Sequence, residues 1–209
     1  MVVGAGNKTG GQVLLYTSED LLNWHYINVL FEGAEYAPCV ECPDFFKLGE
    51  KYVLLFSQIN ERSTHFAVGD FEDGKLVDYT ISTPECGIDF YAPQTFLKDN
   101  RRIMIGWMYH WFKDIPAGCP FAGALSIPRE LTLHDGRMKN FPVEEAWHLL
   151  KKTSPFVSVE DNKLLLSDKA GNTFVKQFSF IEAVDILEDT NSVEVFVNRG
   201  AHSFTFWTL

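Results

Sequence analysis

The sequence predicts an all-β protein: part of a β-propeller, about three blades of it, followed by a short β-sandwich. Three observations carry that prediction. Helical periodicity is nearly absent, and short runs of Val, Ile, Leu, Phe and Tyr alternate with Gly, Asp and Asn turns. A unit of two hairpins recurs at a spacing of about fifty residues. Beyond Phe141-Pro142-Val143 the character changes, and short strands of another pattern run from Ser154 to the end.

In chain order, Met1-Val2-Val3-Gly4-Ala5 reads as the tail of a strand already in progress, so the N-terminus reads as cut. Residues 12–17 and 24–31 are strands. Residues 45–48 and 52–58 form a hairpin across Gly49-Glu50-Lys51, and 65–71 and 76–79 a second across Glu72-Asp73-Gly74-Lys75, where Asp-Gly supplies the turn chemistry. The first hairpin then returns: Pro43 and Pro93, Phe46 and Phe96, Val53 and Ile103 each stand 50 residues apart. The outer hairpin returns as well, Asp73-Gly74 being echoed by Asp135-Gly136 at 62 residues, and the additional 12 fit an insertion at 109–121. Four short strands recurring in this way are the signature of a propeller blade. Residues 144–152 read as a short helical or irregular connector. Six strands follow, at 156–160, 163–167, 173–180, 183–187, 192–197 and 203–209. The expected division is therefore an incomplete propeller at 1–143 and a connector with a small or truncated sandwich at 144–209. No chemistry shows in the second part, whose expected role is to cover the propeller flank.

Composition excludes some partners. The net charge of −10 argues against nucleic acid and anionic membranes, which require a basic face. An acidic, aromatic-rich surface fits neutral polyols such as sugars. No apolar run is long enough to span a bilayer. No signal peptide opens the chain, which favours a cytoplasmic location, although a cut N-terminus removes most of that argument. Cys39 and Cys42 have metal or redox spacing, but Cys86 and Cys119 form no second pair, so reduced thiols are expected and no metal.

The candidate site follows from the repeat. In a propeller the first strand of each blade lines the central channel. Glu41 and Tyr91 stand at equivalent positions at the start of such strands, just ahead of the shared proline. Asp89, two residues before Tyr91, is expected to share its face because strand side chains alternate; Asp44, three residues from Glu41, is expected on the opposite face. A glutamate entering a buried strand costs free energy unless it is paired, protonated or used.

Four segments then carry a resemblance: Glu41-Cys42-Pro43-Asp44, Gly87-Ile88-Asp89-Phe90-Tyr91-Ala92-Pro93-Gln94, Ile105-Gly106-Trp107-Met108 and Ser126-Ile127-Pro128-Arg129-Glu130-Leu131. With the tail Ser192–Asn198 they resemble glycoside hydrolase family 32, the family of invertases, sucrose-6-phosphate hydrolases, inulinases and levanases. The resemblance implies a five-bladed propeller followed by a β-sandwich. It implies Glu41 as general acid/base, a role that requires a carboxyl with a raised pKa. Tyr91 is implied to hydrogen-bond near Glu41, and Asp89 to hold the fructosyl unit or orient the acid. Trp107 is implied as a pocket wall, with blade core as the competing role, and Arg129-Glu130 as structural, an ion pair or a blade-closing contact. No cofactor is implied.

The family's nucleophile lies in an Asn-Asp-Pro-Asn-Gly type motif, and a third carboxylate in Arg-Asp-Pro; neither motif is in this sequence. Neither Asp44 nor Asp89 is expected to replace the nucleophile. The expected function is that of a piece of a retaining β-fructofuranosidase acting on sucrose, sucrose 6-phosphate or a related fructoside, inactive alone. The missing blades are expected from upstream sequence or a partner chain. The alternative is a non-catalytic module that keeps the fructoside pocket. His110, Lys113 and Arg129 are the candidates for a phosphate contact, and the aromatic loop at 109–121 is expected at the pocket mouth.

Overall fold

The computed structural model describes residues 1–87, 89–109 and 121–209. Three successive antiparallel sheets come first. One holds β1 (Val2–Asn7), β2 (Gly10–Thr17) and β3 (His25–Gly33); the next holds β4 (Glu41–Leu48), β5 (Lys51–Gln58), β6 (Ser63–Glu72) and β7 (Lys75–Ser82). The third holds β8 (Tyr91–Lys98), β9 (Arg101–Met108), β11 (Arg129–His134) and β12 (Arg137–Pro142), with the short β10 (Ala124–Leu125) beside the end of β9. These are the expected blades of a partial propeller. The insertion at 110–120, with His110 and Lys113, lies outside the described residues.

The fifty-residue repeat extends to backbone detail. Glu41 pairs with Ser57 and Asp44 with Leu55; Tyr91 pairs with Trp107 and Gln94 with Ile105. In each case three residues of the inner strand pass where two pass on its neighbour, which is a β-bulge. The inserted kink puts Cys42 at φ 48° and Ala92 at φ 47°, a left-handed conformation uncommon for residues with a Cβ. The bulge corrects one expectation. Strict alternation sends Asp44 away from Glu41, but the extra residue restores the parity. Asp44 is instead consumed by packing: its Oδ2 accepts from the Thr95 amide and hydroxyl, both at 2.7 Å, and ties β4 to β8.

The apolar runs of β5 and β6 are explained by burial on both faces. One face of the sheet packs Leu54 and Phe56 with Val13, Leu30, Phe31 and Tyr36; the other packs Val53, Leu55 and Phe66 with Phe90, Met104, Leu131 and Met138. A strand pressed between two neighbouring blades loses the apolar–polar alternation and reads as a continuous hydrophobic run. Phe56, wholly buried, contacts the rings of Phe31, Tyr36 and His65 at 5.0–5.1 Å between centroids. Its truncation to Ala costs about 3–5 kcal/mol by the usual transfer and cavity terms.

A 3₁₀ helix, Glu144–Leu149, forms the connector. Two three-stranded sheets follow: β13 (Val157–Glu160), β14 (Lys163–Ser167) and β15 (Thr173–Gln177), then β16 (Val184–Glu188), β17 (Ser192–Val197) and β18 (His202–Trp207). Leu164 and Leu166 of the first meet Ile186, Val193, Val195, Phe204 and Phe206 of the second in one core. This is the short sandwich. It does more than cover a flank, because Pro84, Glu85, Cys86 and Asp89 lie beside β18. Ser203 N donates to Pro84 O and Cys86 N to Ser203 O, both at 2.7 Å, and Asp89 N donates to Thr205 O at 3.2 Å. Gly87 makes the approach possible, since a Cβ there would lie 2.2 Å from the Thr205 amide nitrogen. Among the described residues no helix is long and apolar enough to cross a membrane.

Candidate active site

Glu41 opens β4 and Tyr91 opens β8, and the two bulges turn both side chains toward one cavity. The Tyr91 hydroxyl donates to Glu41 Oε2 at 2.6 Å. The cavity, about 550 Å³, is walled by Gly4, Val40, Ile59 and Trp107, with Cys39 and Cys42 on either side of the acid. Trp107 sits in β9 directly opposite Tyr91 in the ladder. Tyr109 braces both aromatic neighbours edge-on, with centroids 6.2 Å from Tyr91 and 6.0 Å from Trp107. Trp107 is among the residues that line this cavity. The glycine ahead of it has its own reason: a Cβ at Gly106 would lie 2.2 Å from two carbons of the Phe90 ring, which lies flat on the strand there.

The electrostatics fix the roles within the pair. Burial, then the hydrogen bond to Glu41 and the charge of Glu41, push the Tyr91 phenol far above its ordinary value. Tyr91 therefore stays a donor at any physiological pH. With Oε2 committed to Tyr91, Glu41 Oε1 has no hydrogen-bond partner among the described residues, and Glu41 lines the cavity. The Cys42 thiol, although exposed, is also pushed up, by partial desolvation and then by the Glu41 charge. Burial, then the charge of Asp89, lifts Tyr109 to about 12. Among the described lining residues Glu41 is the single carboxylate. The arrangement offers one carboxylate, held through Oε2 by a phenol, next to an aromatic wall.

Asp89 does not share the face of Tyr91, which corrects the alternation argument. Strand β8 begins only at Tyr91, so the two-residue period does not extend back to Asp89. Asp89 is buried, its Oδ2 accepts from the Trp207 amide at 2.8 Å, and it is not part of the cavity wall. Arg129 also leaves the list of phosphate contacts. It is fully buried between Glu85 and Glu194, with Nη1 and Nη2 each 2.5 Å from a carboxylate oxygen, and its guanidinium lies between the rings of Phe90 and Phe196. It is the structural ion pair of the sequence reading, with partners other than its neighbour; Glu130 pairs with Arg101 instead. Two residues escaped the sequence reading. Tyr109 continues the parity of Trp107 and was legible from it. Glu194, a lone acid in Val193-Glu194-Val195-Phe196, carries the same misplaced-charge signal as Glu41.

Comparison with known proteins agrees with this geometry. The profile of the glycosyl hydrolases family 32 N-terminal domain matches residues 1–142. A sucrose-6-phosphate hydrolase of Vibrio alginolyticus is 34% identical over an alignment covering 98% of this chain and 56% of its own. A raffinose invertase of Escherichia coli is 35% identical over 76% of this chain and 37% of its own. The chain thus spans about half, or less, of the length of these relatives. A β-fructofuranosidase from Bombyx mori superposes on the entire chain with a TM-score of 0.80 at 22% identity, the match covering 57% of it. A sucrose-6-phosphate hydrolase from Lactobacillus gasseri does so with a TM-score of 0.76 at 18% identity, covering 58% of it. These superpositions establish the fold.

Proposed function

The chain belongs to glycosyl hydrolase family 32, and we propose that Glu41 is the general acid/base of a retaining β-fructofuranosidase whose nucleophilic carboxylate lies outside residues 1–209. The observation that carries this reading is the 2.6 Å hydrogen bond from Tyr91 to Glu41, made inside an aromatic-walled cavity at the mouths of two adjacent blades. Tyr91 holds one carboxyl oxygen and leaves the other for the leaving-group oxygen. In the first step the Glu41 proton passes to the glycosidic oxygen as that bond breaks and the fructosyl carbon bonds to the nucleophile. In the second, the Glu41 carboxylate takes a proton from the water that displaces the nucleophile. Trp107 supplies the apolar wall on which a sugar ring rests. Asp89 acts one layer back, through Tyr109 and β18, as a positioning residue. The names of the relatives support a β-fructoside such as sucrose, sucrose 6-phosphate or raffinose as substrate. In this reading residues 1–143 form the catalytic part and 144–209 the connector and sandwich, and the remaining blades come from upstream sequence or a partner chain.

The test is fructose release from sucrose and sucrose 6-phosphate by residues 1–209, and by the same chain joined to the preceding part of a family relative. The expected result is no turnover from the first and turnover from the second, lowered about 10³-fold by Glu41→Gln. Turnover by residues 1–209 alone, or a joined Glu41→Gln variant of undiminished rate, defeats the proposal. The absence of a second carboxylate among the described lining residues favours a second reading, a fructoside-binding module without catalysis. It predicts a single cooperative melt of residues 1–209 that rises with added fructose.

A further inference from the structure

A crevice of about 1040 Å³ lies elsewhere and shares no lining residue with the Glu41 cavity. It opens between the end of β7, the β11–β12 hairpin and the sandwich. Three cations from two elements line it: Arg137 and Lys139 of β12, and Lys176 of β15. Arg137 and Lys139 are two residues apart and point the same way, while Met138 between them is 3% exposed and packs into the core. His202, half-buried, adds an imidazole, and Thr80, Ser82 and Thr83 add hydroxyl groups along the opposite rim.

The charge balance is unusual for this molecule. The chain carries 28 acidic against 18 basic residues, and among the described residues Lys51, Arg101, Arg129, Lys151, Lys152 and Arg199 pair with carboxylates. Arg137, Lys139 and Lys176 make no ion pair or side-chain hydrogen bond with the described residues. The lining includes one exposed carboxylate, Asp135, and it is turned to His134 at 3.1 Å. Like charges gathered around a concave surface repel one another, and the cost is offset when an anion enters. Burial and then the charge of Lys176 oppose protonation of His202; at Cys86 burial and then the Glu85 charge raise the thiol, and Lys176 acts in the other direction. A guanidinium and two ammonium groups, flanked by hydroxyl donors, match the oxygens of a phosphoryl group.

We infer that this crevice is a second ligand site, for a phosphoryl group on a small molecule, independent of the Glu41 reading. The experiment is calorimetric titration of residues 1–209 at low ionic strength, with inorganic phosphate in one arm and fructose 6-phosphate in the other. One saturable site is expected, weakened about tenfold or more in Arg137→Gln/Lys176→Gln and weakened again by added salt. Both substitutions are at exposed positions, and unchanged melting temperatures will show that the fold is intact. Equal affinity in the two arms means that the phosphoryl group alone is read; tighter binding of fructose 6-phosphate means that the Thr80–Thr83 rim reads the sugar. Either supports the site. No saturable binding in either arm, unchanged affinity in the double variant, or displacement by excess fructose (which places the anion at Glu41) overturns it.

Discussion

Arg129→Met is the sharpest test of how the molecule is held together. Met keeps much of the side-chain volume and removes the charge. Glu85 and Glu194, 6% and 3% exposed, are then left without the cation that lies 2.5 Å from each. Breaking a buried ion pair by removing one partner costs about 3–5 kcal/mol. At about 2–4 °C per kcal/mol for a chain of this size, the melting temperature falls by roughly 6–20 °C. The loss depends on pH in a definite direction. Burial already raises the Glu194 carboxyl above its ordinary 4.5, although Arg129 pulls it down, and removing Arg129 raises it further. A carboxyl raised in the folded state keeps its proton there while the unfolded chain ionises. The penalty is therefore absent below about pH 4.5 and grows as pH rises through the raised value. Urea unfolding followed by tryptophan fluorescence should show a narrow gap between wild type and variant at pH 5 and a wide one at pH 8. Converting Glu85 and Glu194 to Gln in the same background should recover much of the loss. A single variant that loses less than about 1 kcal/mol, the scale of an exposed pair, or a gap that does not change with pH, refutes the reasoning.

Three other outcomes are expected. Gly106→Ala drives a methyl into the Phe90 ring, which is held under Arg129, and should cost about 1–3 kcal/mol in a thermal melt; Phe90→Leu in that background should return part of it, and no recovery would place the strain elsewhere. Asp44→Ala removes the acceptor of two hydrogen bonds from Thr95 and should destabilise by about 1–3 kcal/mol, Asp44→Asn by less, as read from urea midpoints. Because the Glu41 charge helps to hold the Cys42 thiol protonated, Glu41→Gln should speed Cys42 alkylation by iodoacetamide at pH 8 in a Cys39→Ser background. An unchanged or slower rate would mean that the charge of Glu41 does not reach the thiol.

The parts of the fold legible in the sequence are those governed by local rules. The Asp-Gly turns, the fifty-residue spacing and the paired prolines located the blades because turn chemistry and strand length are local. That Glu41 and Tyr91 face one cavity was legible for the same reason, since equal positions in a repeat occupy equal places on the blades; their hydrogen bond was implied by the family resemblance. What failed was the extrapolation of strand alternation past the strand. Asp89 lies before β8 begins, and Asp44 lies beyond a bulge at Cys42, where a residue other than glycine adopts a positive φ. No composition rule marks Cys42 or Ala92 for that conformation; the packing of neighbouring blades imposes it. Arg129 was recognised as structural, but its partners stand 44 and 65 residues away in sequence, and such distances are set by the docking of the sandwich.

That docking bears on the site. Ahead of Tyr91, the backbone of Pro84, Cys86 and Asp89 is held against β18 by Ser203 and Thr205. The same segment is anchored by Glu85 on Arg129, Ser203 and Thr205, and by Asp89 on the Trp207 amide. The Trp207 indole in turn donates to the carbonyl of Tyr109, the ring that braces Tyr91 and Trp107. The phenol that holds Glu41 is thus positioned by contacts that converge on one sandwich strand. A blade loop alone is a mobile support, whereas a hydrogen bond that must orient a proton donor needs a rigid one. The sandwich contributes no residue to the cavity lining, yet its contacts support the strand start from which Tyr91 reaches Glu41 Oε2.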